Sequence, residues 1–378
     1  MTNPPVRFTK LDGLRGLLSL VVALNHSFLI LLIPYFANVW GQNILAFTDL
    51  QSKMQQIFML LGNGGVAVTM FFVLSGLVMG QSLSRLELNL KSILGFYVKR
   101  MTRLYPAYLF LIVFSALYLR TGFVYKIYPA ASTWFHWWMN FEMTLNEFIR
   151  NALFISISIG GITWTLRVIV IASFLFPLFS LLTKKSPWYL DLFFTALLIY
   201  LSFTFLNFPG LRDFRYLYMF FLGLILPKFK DFFAKIPNQF FILTLPLCLF
   251  ILLDFRYLTD EYFGGLAEAV ISWFYVGLMA FNLKIKFFNF LNSKPLLFIG
   301  KISYSLYLIH FTVLYILAKL ALDYLPNLPY SQYYFIFHLG IFVISTALAT
   351  LLSIFINKYI ENPSIRLANY ISSKVYPK

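Results

Sequence analysis

The chain has 378 residues, of which 60% are hydrophobic and only 12% are charged, and its mean hydropathy is +0.78. About a quarter of the residues of a soluble domain are charged, so this composition excludes a soluble globular protein and indicates a polytopic membrane protein. The net charge of +16 does not indicate nucleic-acid binding, because the basic residues form short clusters between apolar runs instead of one continuous face.

The apolar runs predict one membrane domain, residues 1–378, with about ten transmembrane helices at roughly 20 residues per span. The predicted spans are 14–36, 57–80, 104–120, 162–183, 188–206, 214–227, 238–255, 264–283, 303–321 and 333–357. If the N-terminus is cytoplasmic, most of the 30 Lys and Arg residues fall in inside segments, as the positive-inside rule requires. The predicted fold is therefore all-α and polytopic, with both termini cytoplasmic.

The first predicted span is unusually polar. It carries Asp12 and Arg15 near its start and Asn25, His26 and Ser27 far inside, where polar groups are costly and usually functional. Arg15 and His26 are eleven residues apart, which on a helix places them within roughly 20° of the same face and about 16 Å apart. His26 fits either a packing histidine bound to a neighbouring helix or a general base or nucleophile near neutral pH.

A basic cluster precedes the third predicted span, in the sequence FYVKRMTRLYPAY. It contains Lys99, Arg100 and Arg103. Arg100 and Arg103 share a helix face, so their planar guanidinium groups could clamp phosphate oxygens. Basic side chains that anchor a span at the membrane surface give the same pattern, and both interpretations remain open.

Small residues and aromatic residues mark the next two features. The stretch GGVAVTMFFVLSG, residues 64–76, is rich in small residues that permit close helix packing. The long outside segment, about 121–161, carries Trp134, Phe135, His136, Trp137 and Trp138. This aromatic cluster fits either stacking on sugar rings or an aromatic belt at the membrane surface.

Two later stretches place polar groups inside apolar runs. In GITWTLRVIV, Trp164 and Arg167 lie near the start of a span, where a guanidinium requires a partner or a water-filled cavity. In GKISYSLYLIH, Ser303, Tyr304 and His310 make the start of the ninth predicted span polar. These residues fit either a hydrogen-bonded seam between helices or the wall of a pocket.

The sequence predicts no metal and no permanently bound cofactor. No two histidines lie at a metal-ligand spacing, and there is neither a cysteine cluster nor a Gly-rich phosphate loop. The single cysteine, Cys248, lies in an apolar run and is interpreted as an inert buried thiol. His136 and His338 stand alone in the sequence and are interpreted as structural.

Six motifs occur in an order and spacing that resemble one family across nearly the whole length, the membrane acyltransferase-3 family of O-acyltransferases. They are LDGLRG with Arg15 and, after ten intervening residues, His26; FFVLSG; Arg100-x-x-Arg103 followed by Leu-Tyr-Pro; Trp164-Thr-Leu; ISYSLYLIH; and Glu361-Asn-Pro.

The resemblance implies about ten transmembrane helices and transfer of an acyl group, commonly acetyl from acetyl-CoA or another acyl-CoA, to a hydroxyl. The acceptor would be a glycan, such as a cell-envelope polysaccharide, or a lipid-linked sugar, and the location a bacterial inner membrane with its lipid. His26 is implied as the catalytic residue. The implied donor-binding residues are Arg15, Arg100 and Arg103, and Lys99 of the same basic cluster is a further candidate for binding acyl-CoA. The candidates for the pocket and acceptor are Asp12, Asn25, Ser27, Trp164, Arg167, Ser303, Tyr304 and His310.

The chain also departs from the resembled pattern. Ile169 stands where many members have an acid, Thr69 stands where many have Asp, and the chain looks like the type that carries no esterase-like domain. Two alternatives to an active enzyme therefore remain: a catalytically silent binding protein of this fold, and a proton-coupled transporter that uses His26 and Arg15. The sequence does not specify the acceptor or the oligomeric state.

Overall fold

The computed structural model describes residues 8–33, 48–84, 86–87, 89–121, 124–253 and 261–375. The α-helices are α1 (Thr9–Ser27), α2 (Leu50–Leu61), α3 (Gly64–Leu83), α4 (Leu90–Thr121), α5 (Thr133–His136), α6 (Leu145–Ala152), α7 (Thr163–Thr183), α8 (Trp188–Phe205), α9 (Leu217–Ile225), α10 (Lys230–Lys235), α11 (Asn238–Leu253), α12 (Glu261–Phe281), α13 (Lys294–Tyr324), α14 (Tyr334–Ile356) and α15 (Asn362–Val375). Within these ranges there is no strand, and the prediction of an all-α fold is confirmed.

Seven stretches of the described chain are long and apolar enough to cross a membrane. They are Leu50–Leu83, Leu90–Thr121, Thr163–Lys184, Trp188–Phe205, Tyr262–Phe281, Lys294–Tyr324 and Tyr334–Ile371. An eighth exists if Pro209–Lys235 and Asn238–Leu252, which meet at a bend of 119°, form one broken span. The prediction of a multi-pass helical membrane protein is confirmed, whereas the count of ten and the cytoplasmic termini stay predictions.

The helices group into two compact units. The first comprises Met1–Leu20, Gly65–Leu86 and Leu175–Ser303. In this unit α3 and α9 touch through their backbones, since a Cβ added to Gly76 would lie 2.0 Å from the carbonyl oxygen of Phe220. The predicted close packing at residues 64–76 is confirmed, because only a glycine leaves room for the neighbouring helix.

The LDGLRG motif makes a similar backbone contact in the first unit. A Cβ on Gly13 would lie 1.8 Å from the carbonyl oxygen of Leu291, and one on Gly16 would lie 2.4 Å from a carbonyl oxygen of α13. From the other side, a Cβ on Gly300 would lie 2.0 Å from the carbonyl oxygen of Asp12. The glycines of this motif therefore let the start of α1 lie directly against the start of α13.

The second unit comprises Val21–Gly64, Glu87–Phe174 and Tyr304–Lys378. Here α15 packs along α4, and a π-helical turn, Asn357–Glu361, joins α14 to α15. The Glu361 carboxylate at this turn is buried and accepts hydrogen bonds from Ser305 Oγ (2.7 Å) and Asn357 Nδ2 (2.9 Å). The Glu361-Asn-Pro motif thus forms a helix junction whose buried charge is satisfied by two donors.

The first predicted span differs from the structure at its C-terminal end. The helix was expected to continue to residue 36, but α1 ends at Ser27, and residues 34–36 lie outside the described chain. Beyond Ser27 the backbone forms hydrogen bonds with other segments: Gln55 Nε2 donates to Phe28 O (3.1 Å), and Leu31 N donates to His338 Nε2 (2.9 Å). These tertiary bonds replace the helical ones that an apolar run would otherwise make. His26 consequently lies in the last turn of α1 instead of the middle of a longer helix.

Candidate functional site

The candidate site is built around two histidines of the second unit. His26 Nδ1 lies 3.0 Å from His310 Nε2, although the two residues are 284 positions apart in the chain. The rings are coplanar within 5°, with centroids 5.2 Å apart. Because the two nitrogens are much closer than the centroids, the rings meet edge to edge in a shared plane, which aligns the hydrogen bond between them.

The two histidines differ in exposure. His310 is only 2% exposed, whereas His26 is half-buried. The second nitrogen of His310, Nδ1, lies 2.8 Å from the carbonyl oxygen of Tyr307 and 3.2 Å from that of Leu306, both on its own helix α13. His26 is therefore the more exposed histidine of the pair, while both nitrogens of His310 are occupied.

Aromatic rings enclose His26. The indole of Trp134 stacks on it with centroids 5.5 Å apart and planes inclined by 29°. Phe311 meets it edge to face at 5.5 Å and also contacts Trp134 at 5.6 Å. These walls exclude water from one face of the imidazole, which strengthens electrostatic interactions at the site.

The turn before α7 packs against the same aromatic wall. Gly160 has a φ of 153°, a conformation that residues with a side chain rarely adopt. A Cβ on Gly161 would lie 3.1 Å from both Phe311 and Trp138. The two glycines thus bring the chain close to the ring that borders His26.

The segment that carries Trp134 is bound to the chain following His26. Ser132 N donates to Ile30 O (2.9 Å) and Ser132 Oγ donates to Leu29 O (2.5 Å). His136 Nδ1 donates to Ser132 O (2.9 Å), and His136 Nε2 accepts a hydrogen bond from Tyr128 N (3.0 Å). The interpretation of His136 as structural fits these bonds, because they hold the segment that places Trp134.

Several predicted pocket residues are engaged elsewhere. Ser27 Oγ donates to Ala23 O (2.7 Å) within α1, and the buried Asn25 packs against Gly64, where a Cβ would lie 2.8 Å from its Oδ1. Tyr304 Oη donates to Leu104 O (2.6 Å) on α4. These side chains stabilise helix contacts, and none of these bonds involves His26.

The remaining candidates fall in different places. Trp164 and Arg167 are half-buried in the first turns of α7. Ser303 belongs to the first unit, where its Oγ is buried without a hydrogen-bond partner in the described part of the chain. Asp12 and Arg15, both half-buried, also belong to the first unit.

The basic cluster lies on α4 in the second unit. Arg100 Nε and Nη2 are both 3.3 Å from Ser173 Oγ, which in turn donates to Ile169 O (2.7 Å) on α7. Arg103 is half-buried and Lys99 is exposed. Arg100 is therefore held against a neighbouring helix, an arrangement that fixes the guanidinium in one orientation.

Sequence reasoning named His26 and His310 but did not predict the contacts that hold them. Tyr307 supplies a backbone acceptor to His310, and its own Oη lies 2.7 Å from Thr165 Oγ1 of α7. Phe311 directly follows His310 and had no polar signal to single it out. Among the described residues, no three His, Cys, Asp or Glu side chains come together as a metal site.

A family model for an acyltransferase domain, acyltransferase-3, matches residues 8–358. The chain belongs to the acyltransferase-3 family. This membership covers all the helices that carry the histidine pair and its aromatic wall, and it makes the chain a membrane acyltransferase in general terms. No curated protein and no solved structure matches the chain significantly.

Proposed function

We propose that this acyltransferase moves an acyl group, such as acetyl, from a cytoplasmic acyl-CoA to a hydroxyl of a glycan or lipid-linked sugar, with His26 as the general base. The observation that carries this proposal is the histidine pair itself: His26, the more exposed of the two residues, is hydrogen-bonded to the buried imidazole of His310. A histidine held in this way is oriented to act as a general base towards a hydroxyl.

In the proposed reaction, His26 is the only protein group that carries the proton from the hydroxyl to the leaving thiolate. The acceptor hydroxyl loses its proton to the imidazole as its oxygen attacks the thioester carbonyl carbon. The tetrahedral intermediate then collapses, the carbon–sulfur bond breaks, and the leaving thiolate takes the proton back from the imidazolium. Because His26 lies in the last turn of α1, the helix dipole favours the positive charge it carries in between. An acyl-histidine intermediate is the covalent variant of this scheme.

The donor side of the proposal rests on the basic cluster. A planar guanidinium can bind two phosphate oxygens at once, and Arg100 is oriented by its two contacts with Ser173. Arg103 is one helical turn further along α4, on the same face. We propose that the phosphates bind Arg100 and Arg103, with Lys99 as a further donor-binding residue.

The first experiment measures transfer from radiolabelled acetyl-CoA to a membrane glycan fraction by the purified protein. We expect transfer by the wild type and a loss on the order of 10²-fold or more in His26→Ala. Trp137→Ala serves as the matched control, since Trp137 is 64% exposed. Equal transfer by His26→Ala and the control would overturn the assignment of His26.

The second experiment separates donor binding from chemistry. Arg100→Lys and Arg103→Lys keep the charge but lose the planar fork, so we expect the apparent KM for acetyl-CoA to rise more than kcat falls. Lys294→Arg, a conservative change of a basic residue on α13, is the control. A fall in kcat at constant KM would argue against phosphate docking at α4.

A further inference from the structure

Within the proposed function, we infer that His310 is a positioning residue that fixes the tautomer of His26 and makes Nε2 the nitrogen that takes the proton. His310 Nδ1 faces two carbonyl oxygens, those of Tyr307 (2.8 Å) and Leu306 (3.2 Å). Carbonyl oxygens only accept hydrogen bonds, so His310 Nδ1 must carry a hydrogen.

The tautomer of His310 then determines the tautomer of His26. A neutral imidazole has one protonated nitrogen, so with its hydrogen on Nδ1 the Nε2 of His310 offers a lone pair. The hydrogen bond of 3.0 Å to this lone pair must come from His26 Nδ1–H. His26 in its neutral form consequently has a bare Nε2, the nitrogen that does not face His310.

The pair also accounts for the charge that forms during the reaction. When His26 takes a proton on Nε2, its Nδ1–H already points at a neutral acceptor, so the hydrogen bond becomes charge-assisted without any rearrangement. Within the described residues, His26 has no carboxylate as hydrogen-bond partner, and the buried imidazole occupies that place. His310 does not touch the substrate in this scheme, because it is 2% exposed and both its nitrogens are bonded.

The acceptors that hold His310 Nδ1 are backbone carbonyl groups of α13, so the tautomer of His310 does not depend on another side chain. The two carbonyl groups that bind His310 Nδ1 lie three and four residues earlier on the same helix. Their positions follow from helix geometry alone. A substitution elsewhere can therefore weaken the site without reversing the tautomer, whereas a change of residue 310 removes the constraint directly.

The test reads the tautomer by nitrogen NMR of the full-length protein with ¹⁵N-labelled histidine. The signals of His26 are assigned by their loss in His26→Asn. In the wild type we expect a protonated Nδ1 and a bare Nε2 on His26. In His310→Phe, which has no acceptor, we expect both tautomers of His26. A wild-type His26 with a protonated Nε2 would overturn the inference.

Activity provides the second readout. His310→Gln retains an oxygen that can accept from His26 Nδ1–H, so we expect it to keep a larger share of kcat than His310→Phe, at an unchanged KM for acetyl-CoA. Equal kcat in the two variants, with both proteins folded, would overturn the positioning role. His338→Gln is the control for losing a buried histidine, and it should leave the NMR signals of His26 in place. If the wild type transfers no acyl group, the proposed function fails, but the NMR arm still tests the tautomer.

Discussion

The indole of Trp134 covers one face of the His26 imidazole, with ring centroids 5.5 Å apart. Trp134 is 6% exposed, whereas its neighbour Trp137 is 64% exposed. The two tryptophans of this segment therefore have different surroundings: Trp134 lines the histidine site and Trp137 lies at the surface.

Removing the Trp134 indole should admit water to the site around His26. In Trp134→Ala we expect hydrolysis of acetyl-CoA to rise relative to transfer to the acceptor, because water can reach the thioester next to His26. Trp134→Phe keeps an aromatic face and should retain most of the transfer, and Trp137→Ala should match the wild type. The measurement is the ratio of free acetate to acetylated acceptor. An unchanged ratio in a folded Trp134→Ala protein would contradict the covering role.

Ile169 raises the question of whether the enzyme lacks an essential acid. Because His26 Nδ1 already donates to His310, we expect Ile169→Glu not to increase turnover, and Ile169→Gln serves as the uncharged control. The measurement is kcat for acetyl transfer by the three proteins. Transfer that appears only in Ile169→Glu would instead support the catalytically silent binding protein.

The backbone contact between α1 and α13 should be sensitive to a single methyl group. A Cβ on Gly16 would lie 2.4 Å from a carbonyl oxygen, so we expect Gly16→Ala to lower the free energy of unfolding by about 1–3 kcal/mol. Nothing lies within 4 Å of a Cβ on Gly340, so Gly340→Ala on α14 should raise stability by about 0.5–1 kcal/mol. Denaturant unfolding in detergent measures both. Equal stabilities would show that the helices can separate without cost.

The stability of the segment around His136 should depend on pH. Burial lowers the pKa of His136 below its ordinary value, and its hydrogen bond to the carbonyl of Ser132 only partly offsets this. As the pH falls below the ordinary value, the unfolded chain binds a proton that the folded chain does not, so the free energy of unfolding decreases. Protonation would also place a hydrogen on Nε2, which now accepts from Tyr128 N.

His136→Gln removes this titration. We therefore expect the unfolding midpoint of the wild type to fall more steeply than that of His136→Gln between pH 7 and pH 5, after both are measured in the same detergent. Parallel curves for the two proteins would contradict the link between His136 and the segment.

The sequence indicated both histidines as candidate site residues but not the hydrogen bond between them. The polar surroundings of His26 and His310 marked both as candidates, yet 284 residues separate them, and no local pattern encodes which side chains meet across a bundle. The glycines of residues 64–76 were predictable as packing residues because a missing side chain has one common use in a membrane helix.

The end of α1 could not be predicted for a different reason. The run after Ser27 is apolar enough to continue a helix, and the competing hydrogen bonds come from Gln55 and His338, which are distant in the chain. Ser27 and Tyr304 were named as pocket candidates from polarity alone. Their hydroxyls donate to backbone carbonyls, contacts that the sequence does not reveal, and their role in a pocket stays a prediction.

The non-helical chain after α1, residues 28–32, bonds to several distant segments, and these bonds affect its local unfolding. Its backbone groups bond to Gln55 on α2, to His338 on α14, and to Ala130 and Ser132 in the segment that carries Trp134. His338 and Gln55 are themselves joined by a hydrogen bond of 2.8 Å. The amide hydrogens of Leu31 and Leu32, which bond to His338 and Ala130, should therefore exchange only when this stretch releases from α14 or from the Trp134 segment, so their exchange rates report its local opening.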